Sequence, residues 1–436
     1  MRILLVSTYY PPQPAVASLR VHAHATAWAE SGAEVTVLTT QKRDDQRGAE
    51  IPSPGVRVVE VPVPTRMVGE LLRGYAGRRG VRSGASTQDA GARPGLFARA
   101  LGRFREGTGV FASVRMPDLT DAWVAPAVAR ARELARGGAF DAVVASSGPY
   151  TTLLAARRIR RAGLASRFVA EFRDLWTANH MASGCFPFTL RERALELAVL
   201  READLVVTVS EPLAAWLRPR ARGPVEVVFN GHAGRRPAGA ALAAGVRTLV
   251  YTGTVYPRGH DLGPLMRGLA LLRRENPDSA GRVRVIVAGP AGEHWRTAAA
   301  AHGVLDLIDL RGPVPHAEAL ALQDGASALL SLEWTGPEEG VLTAKLFEYL
   351  AGAAPIMVVG PRRTITEWAE RLGRGLNAGS DGEEVARSLH RLARGEFAPT
   401  GVCDFGSIEA LSRRAQSARM LGLIRQTVSP GVGPTR

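Results

Sequence analysis

Short apolar runs closed off by turn residues recur along the chain, and between them lie longer segments whose apolar residues return every three or four positions. A continuous apolar run marks a strand buried on both faces, and the longer period marks an amphipathic helix, so the alternation predicts parallel sheets built from strand-helix-strand units. In the first half the runs cover residues 3–7, 35–39, 56–61, 142–146, 168–172 and 205–209, with helical patterns over 19–30, 126–135, 151–161 and 190–203. A seventh run, 225–229, ends in Asn230-Gly231, and the stretch to 247 is rich in Gly, Ala, Arg and Pro without an apolar period, which predicts a linker over 231–247. The pattern then restarts with runs at 249–251, 283–288, 307–310, 328–332 and 356–359 and a helix over 344–351. Two doubly wound α/β domains are therefore expected, over 1–230 and 248–404. One last helix within 405–428 follows, with Leu411, Met420, Leu421 and Leu423 as its apolar positions, and then a disordered tail over 429–436.

A chain of 436 residues with 46% hydrophobic and 22% charged positions suits two globular cores. The two cysteines, Cys185 and Cys403, match no metal or redox spacing. The apolar run before Pro11-Pro12 is too short for a signal peptide, and no stretch approaches a membrane span, which predicts a cytoplasmic protein. The net charge of +14 points to an acidic partner: nucleic acid, anionic lipid or a phosphorylated substrate. An aromatic content of 6% without a stacking array argues against nucleic acid. Only Lys42 and Lys345 are lysines, the other basic residues being arginine, as fits the codon bias of a GC-rich bacterial genome. That bias makes Lys345 conspicuous. Residues 66–110 break the strand-helix pattern, and 66–106 hold nine arginines against three acidic residues. They read either as a solvated flexible insertion or as a basic amphipathic element for the acceptor or an anionic membrane at its inner face.

The strongest local signal runs from Glu338 to Gly352. A helix beginning near Leu342 or Thr343 offers unpaired N–H groups and the positive end of its dipole, which suits a diphosphate. Lys345 and Glu348, three apart, share one helical face: a cation for phosphate and a carboxylate able to accept two ribose hydroxyl protons. As an alternative the two form a plain surface ion pair.

The segment Lys345-Leu346-Phe347-Glu348-Tyr349-Leu350 resembles the donor-site helix of family-four retaining glycosyltransferases of the GT-B fold. Residues 3–6 with Tyr10-Pro11-Pro12 and Arg20, Pro117-Asp118, Trp123, Asp141, residues 171–176, Ala203-Asp204, residues 209–211, Asn230-Gly231 and Tyr251-Thr252-Gly253-Thr254 follow in the family's order. The resemblance implies two Rossmann-like domains facing across a cleft, with the C-terminal helix crossing back to the first. It implies a UDP- or GDP-linked donor and a hydroxyl acceptor, either a lipid-linked saccharide or a small metabolite. The group moved is hexosyl or N-acetylhexosaminyl, with retention and neither metal nor cofactor. Glu348 would hold the ribose, Thr343 and the backbone of Gly340 to Leu342 the diphosphate, and the loop from Gly253 and Thr254 through Arg258 and His260 the remaining phosphate contacts. The main chain near Val314 would meet the base, and Arg20 the acceptor. At the end of a first-domain strand, Asp174 could orient the acceptor hydroxyl or accept its proton, beside Arg173, with His180 as a second candidate; alternatively the Arg-Asp pair only locks its loop. Where the family has a second glutamate this chain has Gly340, and Ala15, Val16 and Ala17 stand where a glycine pair is common.

No Gly-x-Gly-x-x-Gly or Gly-x-x-x-x-Gly-Lys-Ser/Thr motif follows a strand, which disfavours dehydrogenases and P-loop enzymes, and no Asp-x-Asp triplet follows one either. The remaining rivals are a nucleotide-sugar epimerase on the same scaffold, which would convert the donor without an acceptor, and a catalytically silent partner subunit.

Overall fold

The computed structural model describes residues 1–48, 50–64, 102–105, 107–179, 182–257, 259–336, 342–399 and 401–428. His180, Arg258, Gly340, the tail 429–436 and the insertion 66–110 as far as 101 and at 106 lie outside them. The chain divides into two compact units. The first holds Met1–Phe229 and takes back the chain from Arg413, and the second is Asn230–Ser412.

The first unit is built on seven parallel strands: β1 (Arg2–Val6), β2 (Glu34–Thr40), β3 (Val56–Val61), β4 (Phe140–Ser146), β5 (Ala165–Phe172), β6 (Leu205–Thr208) and β7 (Val225–Val227), in the order β3-β2-β1-β4-β5-β6-β7. Period-two alternation sends Leu4 and Val6 into one core and Ile3 and Leu5 into another, so both faces of the sheet are covered. The second unit repeats the plan with β8 (Arg247–Thr252), β9 (Val283–Ala288), β10 (Ile308–Gly312), β11 (Ala328–Leu332), β12 (Ile356–Val359) and β13 (Gly375–Asn377), all parallel, in the order β10-β9-β8-β11-β12-β13. The strand order reverses between β1 and β4 in one sheet and between β8 and β11 in the other. Open parallel sheets gather ligands beyond the carboxyl ends of their strands at such points.

Three local expectations change. The edge strand β13 is only three residues long and left no apolar run in the sequence. The run expected over 307–310 enters through a single 3-10 turn, Leu305–Leu307, and the strand itself extends to Gly312. The last helix is two helices, Phe405–Ala410 and Arg413–Val428. Asp404 caps the first by accepting from the Ser407 N–H, while the Leu411 carbonyl and Ser412 pair with His232 instead of continuing the helix. Residues 230–246 form no helix or strand, yet Arg236 and Gly239 bond to Ala351 and Asp324 within the second unit. The helix Arg413–Val428 belongs to the first unit, where Met420, Leu421 and Ile424 enter the core beside Val21 and Trp28. Ser417 accepts the Trp28 indole N–H through its carbonyl at 2.9 Å and bonds His24 through its hydroxyl at 2.9 Å.

Arg20 is the main polar tie of the first unit. Its buried guanidinium donates to Glu171 Oε1 at 2.7 and 2.9 Å and to the carbonyls of Val228 and Phe229, joining the end of β5 to the last residues before the second unit. Burial disfavours the Glu171 charge, but Arg20 and His24 outweigh it and hold the carboxyl below its ordinary range. Removing one partner of such a pair leaves an unmatched buried charge. Arg20→Leu is therefore expected to lower unfolding stability by about 3 kcal/mol, and Arg20→Leu with Glu171→Leu to lose less, as read from urea unfolding.

Candidate active site

At the carboxyl end of β8 the chain turns through Gly253, whose φ is +104°. The Gly253 carbonyl lies against Gly289, where a Cβ would come within 2.1 Å of it, so only glycine allows the ends of β8 and β9 to approach this closely. Next to them, beyond β11, starts the helix Ala344–Ala351. Thr343 is its N-cap, in extended conformation, and its hydroxyl is buried without a hydrogen-bond partner among the described residues. The Leu346 N–H is taken by the Thr343 carbonyl at 3.2 Å, while a helix start leaves the N–H groups of Ala344 and Lys345 without an intrahelical partner.

Lys345 and Tyr349, four apart, face β8 from one side of this helix. The Lys345 ammonium donates to the Tyr251 hydroxyl and, at 3.4 Å, to the Thr254 carbonyl, and lies 4.0 Å from the Tyr251 ring centroid. Among the described residues no carboxylate offsets its charge, and burial lowers its pKa to about 7. The Tyr349 hydroxyl accepts from the Thr252 N–H at 2.9 Å, and Gln323 donates to the Thr252 hydroxyl at 2.9 Å. Arg236 completes the frame, bonding Gln323 Oε1 at 2.7 Å, Asp324 at 2.7 Å and the Glu348 carbonyl at 3.2 Å. The Glu348 carboxylate meets His316 Nε2 at 3.1 Å, and among the described residues no ion pair joins it to Lys345.

His260 is buried rather than a loop cation. Its Nδ1 accepts from the Tyr256 N–H at 3.1 Å and its ring packs edge-on to Trp334 at 5.5 Å. Burial, then the charge of Lys345, lowers its pKa to about 3, so at neutral pH it is an uncharged imidazole and cannot supply a second positive charge. Val314 is half-buried in the loop after β10. A separate cavity of about 480 Å³ opens at the carboxyl ends of β12 and β13, lined by Gly360, Asn377, Gly379 and Arg387 among others, and none of the residues singled out in the sequence lines it.

On the first unit, Arg173 and Asp174 follow β5 at the carboxyl edge. Among the described residues no hydrogen bond joins the two side chains. Arg173 donates to the carbonyls of Ser147 at 2.6 Å and Gly148 at 3.1 Å, while Asp174 is exposed with no hydrogen-bond partner among the described residues. Arg20, expected at the acceptor, is 4% exposed, and its guanidinium donates to Glu171 and to two carbonyls. Lysine scarcity alone did not mark function either: Lys42 is also buried, donating to Thr39 and Thr40 hydroxyls at 3.0 and 3.1 Å.

Residues 17–231 match the glycosyl transferase 4-like domain family. The chain is a glycosyltransferase carrying a domain of that type. Its fold is GT-B, as in sucrose-phosphate synthase from Thermosynechococcus elongatus, similar over 98% of both chains at 15% identity and a TM-score of 0.61. Anabaena HepE, solved in complex with UDP, is similar at 12% identity over 98% of this chain and 100% of that one, with a TM-score of 0.57. A trehalose-6-phosphate protein from E. coli bound with UDP-2-fluoro glucose matches at 11% identity over 98% and 99%, with a TM-score of 0.58. No curated protein matches the sequence. The sequence reading of this glycosyltransferase missed Tyr251, Gln323, Arg236 and His316; of these only Tyr251 was legible, as part of the quoted Tyr-Thr-Gly-Thr stretch.

The folded Lys345 titrates near 7 and the ordinary lysine at 10.5, so between these values the unfolded chain binds the extra proton. The cost of this group to stability is thus full below about pH 7 and fades as pH rises toward 10.5. Lys345→Met should stabilise the ligand-free protein by roughly 1–2 kcal/mol at neutral pH, with the gain shrinking in alkaline buffer, as followed by thermal unfolding.

Proposed function

We propose that the protein moves a hexosyl or N-acetylhexosaminyl group from a UDP- or GDP-linked sugar to a hydroxyl acceptor, a lipid-linked saccharide or a small metabolite, with retention of configuration and without a metal. The observation that carries this reading is the buried Lys345 ammonium, without a carboxylate partner among the described residues, beside the N-terminus of its own helix, with Glu348 one turn on. The diphosphate is held by the N–H groups around Leu342 and Thr343, the Thr343 hydroxyl and Lys345, with Gly253 and Thr254 at its other side. The arriving negative charge raises the Lys345 pKa, so the lysine is fully charged in the complex. Glu348 exchanges His316 for the ribose hydroxyls, and the main chain near Val314 meets the base. Neighbours solved with UDP favour uridine over guanosine.

In the transfer, the bond from the anomeric carbon to the β-phosphate oxygen breaks and a bond to the acceptor oxygen forms on the same face. The acceptor proton passes to the departing phosphate oxygen, and Asp174 orients the hydroxyl that gives it up. Charge growing on the leaving diphosphate is met by fixed N–H dipoles and the lysine, the role a divalent ion takes in other sugar transferases. The protein acts in the cytoplasm on this reading.

Glu348→Ala is expected to weaken UDP binding by about 10–100-fold in calorimetry while leaving the melting temperature of the ligand-free protein near that of the wild type. Transfer should continue undiminished in a chelator. Unchanged UDP affinity in the variant would remove Glu348 from the site, and loss of activity in the chelator would remove the metal-free assignment.

A further inference from the structure

The first unit carries an apolar protrusion that its own core does not use. Around the start of the helix Phe188–Glu202, Phe186 is 76% exposed, Leu190 58% and Phe188 37%. Three large apolar side chains thus stand in water within five residues, an arrangement that soluble surfaces avoid unless something covers it.

The segment is fastened from below. The buried Arg115 guanidinium donates to the carbonyls of Ala182 at 2.9 Å and Thr177 at 3.1 Å and to Glu192 at 3.0 Å. Glu192 also accepts from the Trp176 indole at 3.1 Å and the Met116 N–H at 2.8 Å. Gly184, at φ +76°, lets the chain pass over Arg115, whose Nη2 would sit 2.5 Å from a Cβ there. Ser183 and Gly184 donate to the carbonyls of Gly107 and Thr108 at 3.1 and 3.0 Å, which brings in the backbone just after the exposed Phe104. The underside is therefore rigid, and ordering the exposed side chains on a partner would cost little backbone entropy.

Among the described residues next to the patch in sequence, the exposed charges are arginines. Arg103, Arg191 and Arg193 are exposed, whereas the two carboxylates between 182 and 200, Glu192 and Glu196, are buried. Exposed apolar side chains with exposed arginines close by in the chain match a surface that is apolar beneath and anionic on top.

We propose that this patch docks the protein on an anionic lipid bilayer, with Phe186, Phe188 and Leu190 entering the boundary between headgroups and acyl chains and Arg103, Arg191 and Arg193 meeting lipid phosphate. The proposal is independent of the donor-site reading, because none of these residues belongs to that site.

The test is flotation of the full chain with vesicles of phosphatidylglycerol in phosphatidylcholine, against vesicles of phosphatidylcholine alone. The protein is expected to float with the anionic vesicles, less so as salt is raised. Combined Phe186→Ser, Phe188→Ser and Leu190→Ser should lower the partition at least ~tenfold without changing UDP affinity. Arg191→Glu with Arg193→Glu should lower it several-fold on anionic vesicles only. Should the serine variant fold poorly, the arginine pair decides alone. Equal binding to both kinds of vesicle, or variants that bind like the wild type, overturns the proposal. So does a dimer in solution that the serine variant dissolves, since the patch would then belong to a second copy of the chain.

Discussion

A lysine ammonium removed from water, with no carboxylate beside it among the described residues, is the constraint on which the second unit's carboxyl edge is organised. Keeping Lys345 there works against folding, as its lowered pKa records. The neighbouring contacts fix where it stands. Tyr349, one turn along the same helix, locks that helix to β8 through the Thr252 N–H, and Arg236 ties the Glu348 carbonyl to Gln323 and Asp324. Gly253 and Gly289 let the ends of β8 and β9 close up beside it. On the proposed reading, an anion arriving at this place would find donors already aimed and an amine already desolvated, which gains its proton as the anion binds, and that is the physical content of preorganisation.

The two units share a sheet plan but use buried charge differently. In the first, Arg20 and Glu171 neutralise one another, and carbonyls from the chain leaving the unit take up the remaining donors. That charge is structural and closed. In the second, the partners of Lys345 among the described residues are a hydroxyl and a carbonyl, and Thr343 leaves a buried hydroxyl without a partner among them. That site is open to an anion. The contrast between a matched and an unmatched buried cation separates a fastening from a binding group more sharply than residue type does, and Lys42, surrounded by threonine hydroxyls and the Thr8 carbonyl close to the end of β2, shows that rarity of lysine alone does not.

Most of the fold was legible because strands buried on both faces must be continuous apolar runs, as in 142–146 and 328–332, and because the helix carrying Lys345 and Glu348 combines a sharp start with a two-residue charge motif. What escaped depends on contacts distant in sequence. The break at Ser412 follows from pairing with His232, the burial of Arg20 from a glutamate 151 positions away, and the meeting of His316 with Glu348 from a helix on the far side of β11. Charge state was the least legible property. His260 is a plausible cation by composition, yet its surroundings of Trp334, Tyr256 and Lys345 leave it neutral.

The central claim is that Lys345 receives the donor's diphosphate, and proton linkage tests it most directly. Calorimetric titration of UDP at about pH 8, repeated in buffers of different ionisation enthalpy, reads the protons exchanged on binding. If the ammonium is the receiver, UDP binding takes up most of a proton from the buffer, and Lys345→Met abolishes the uptake. Binding of UDP with no proton uptake by the wild-type protein would contradict the account.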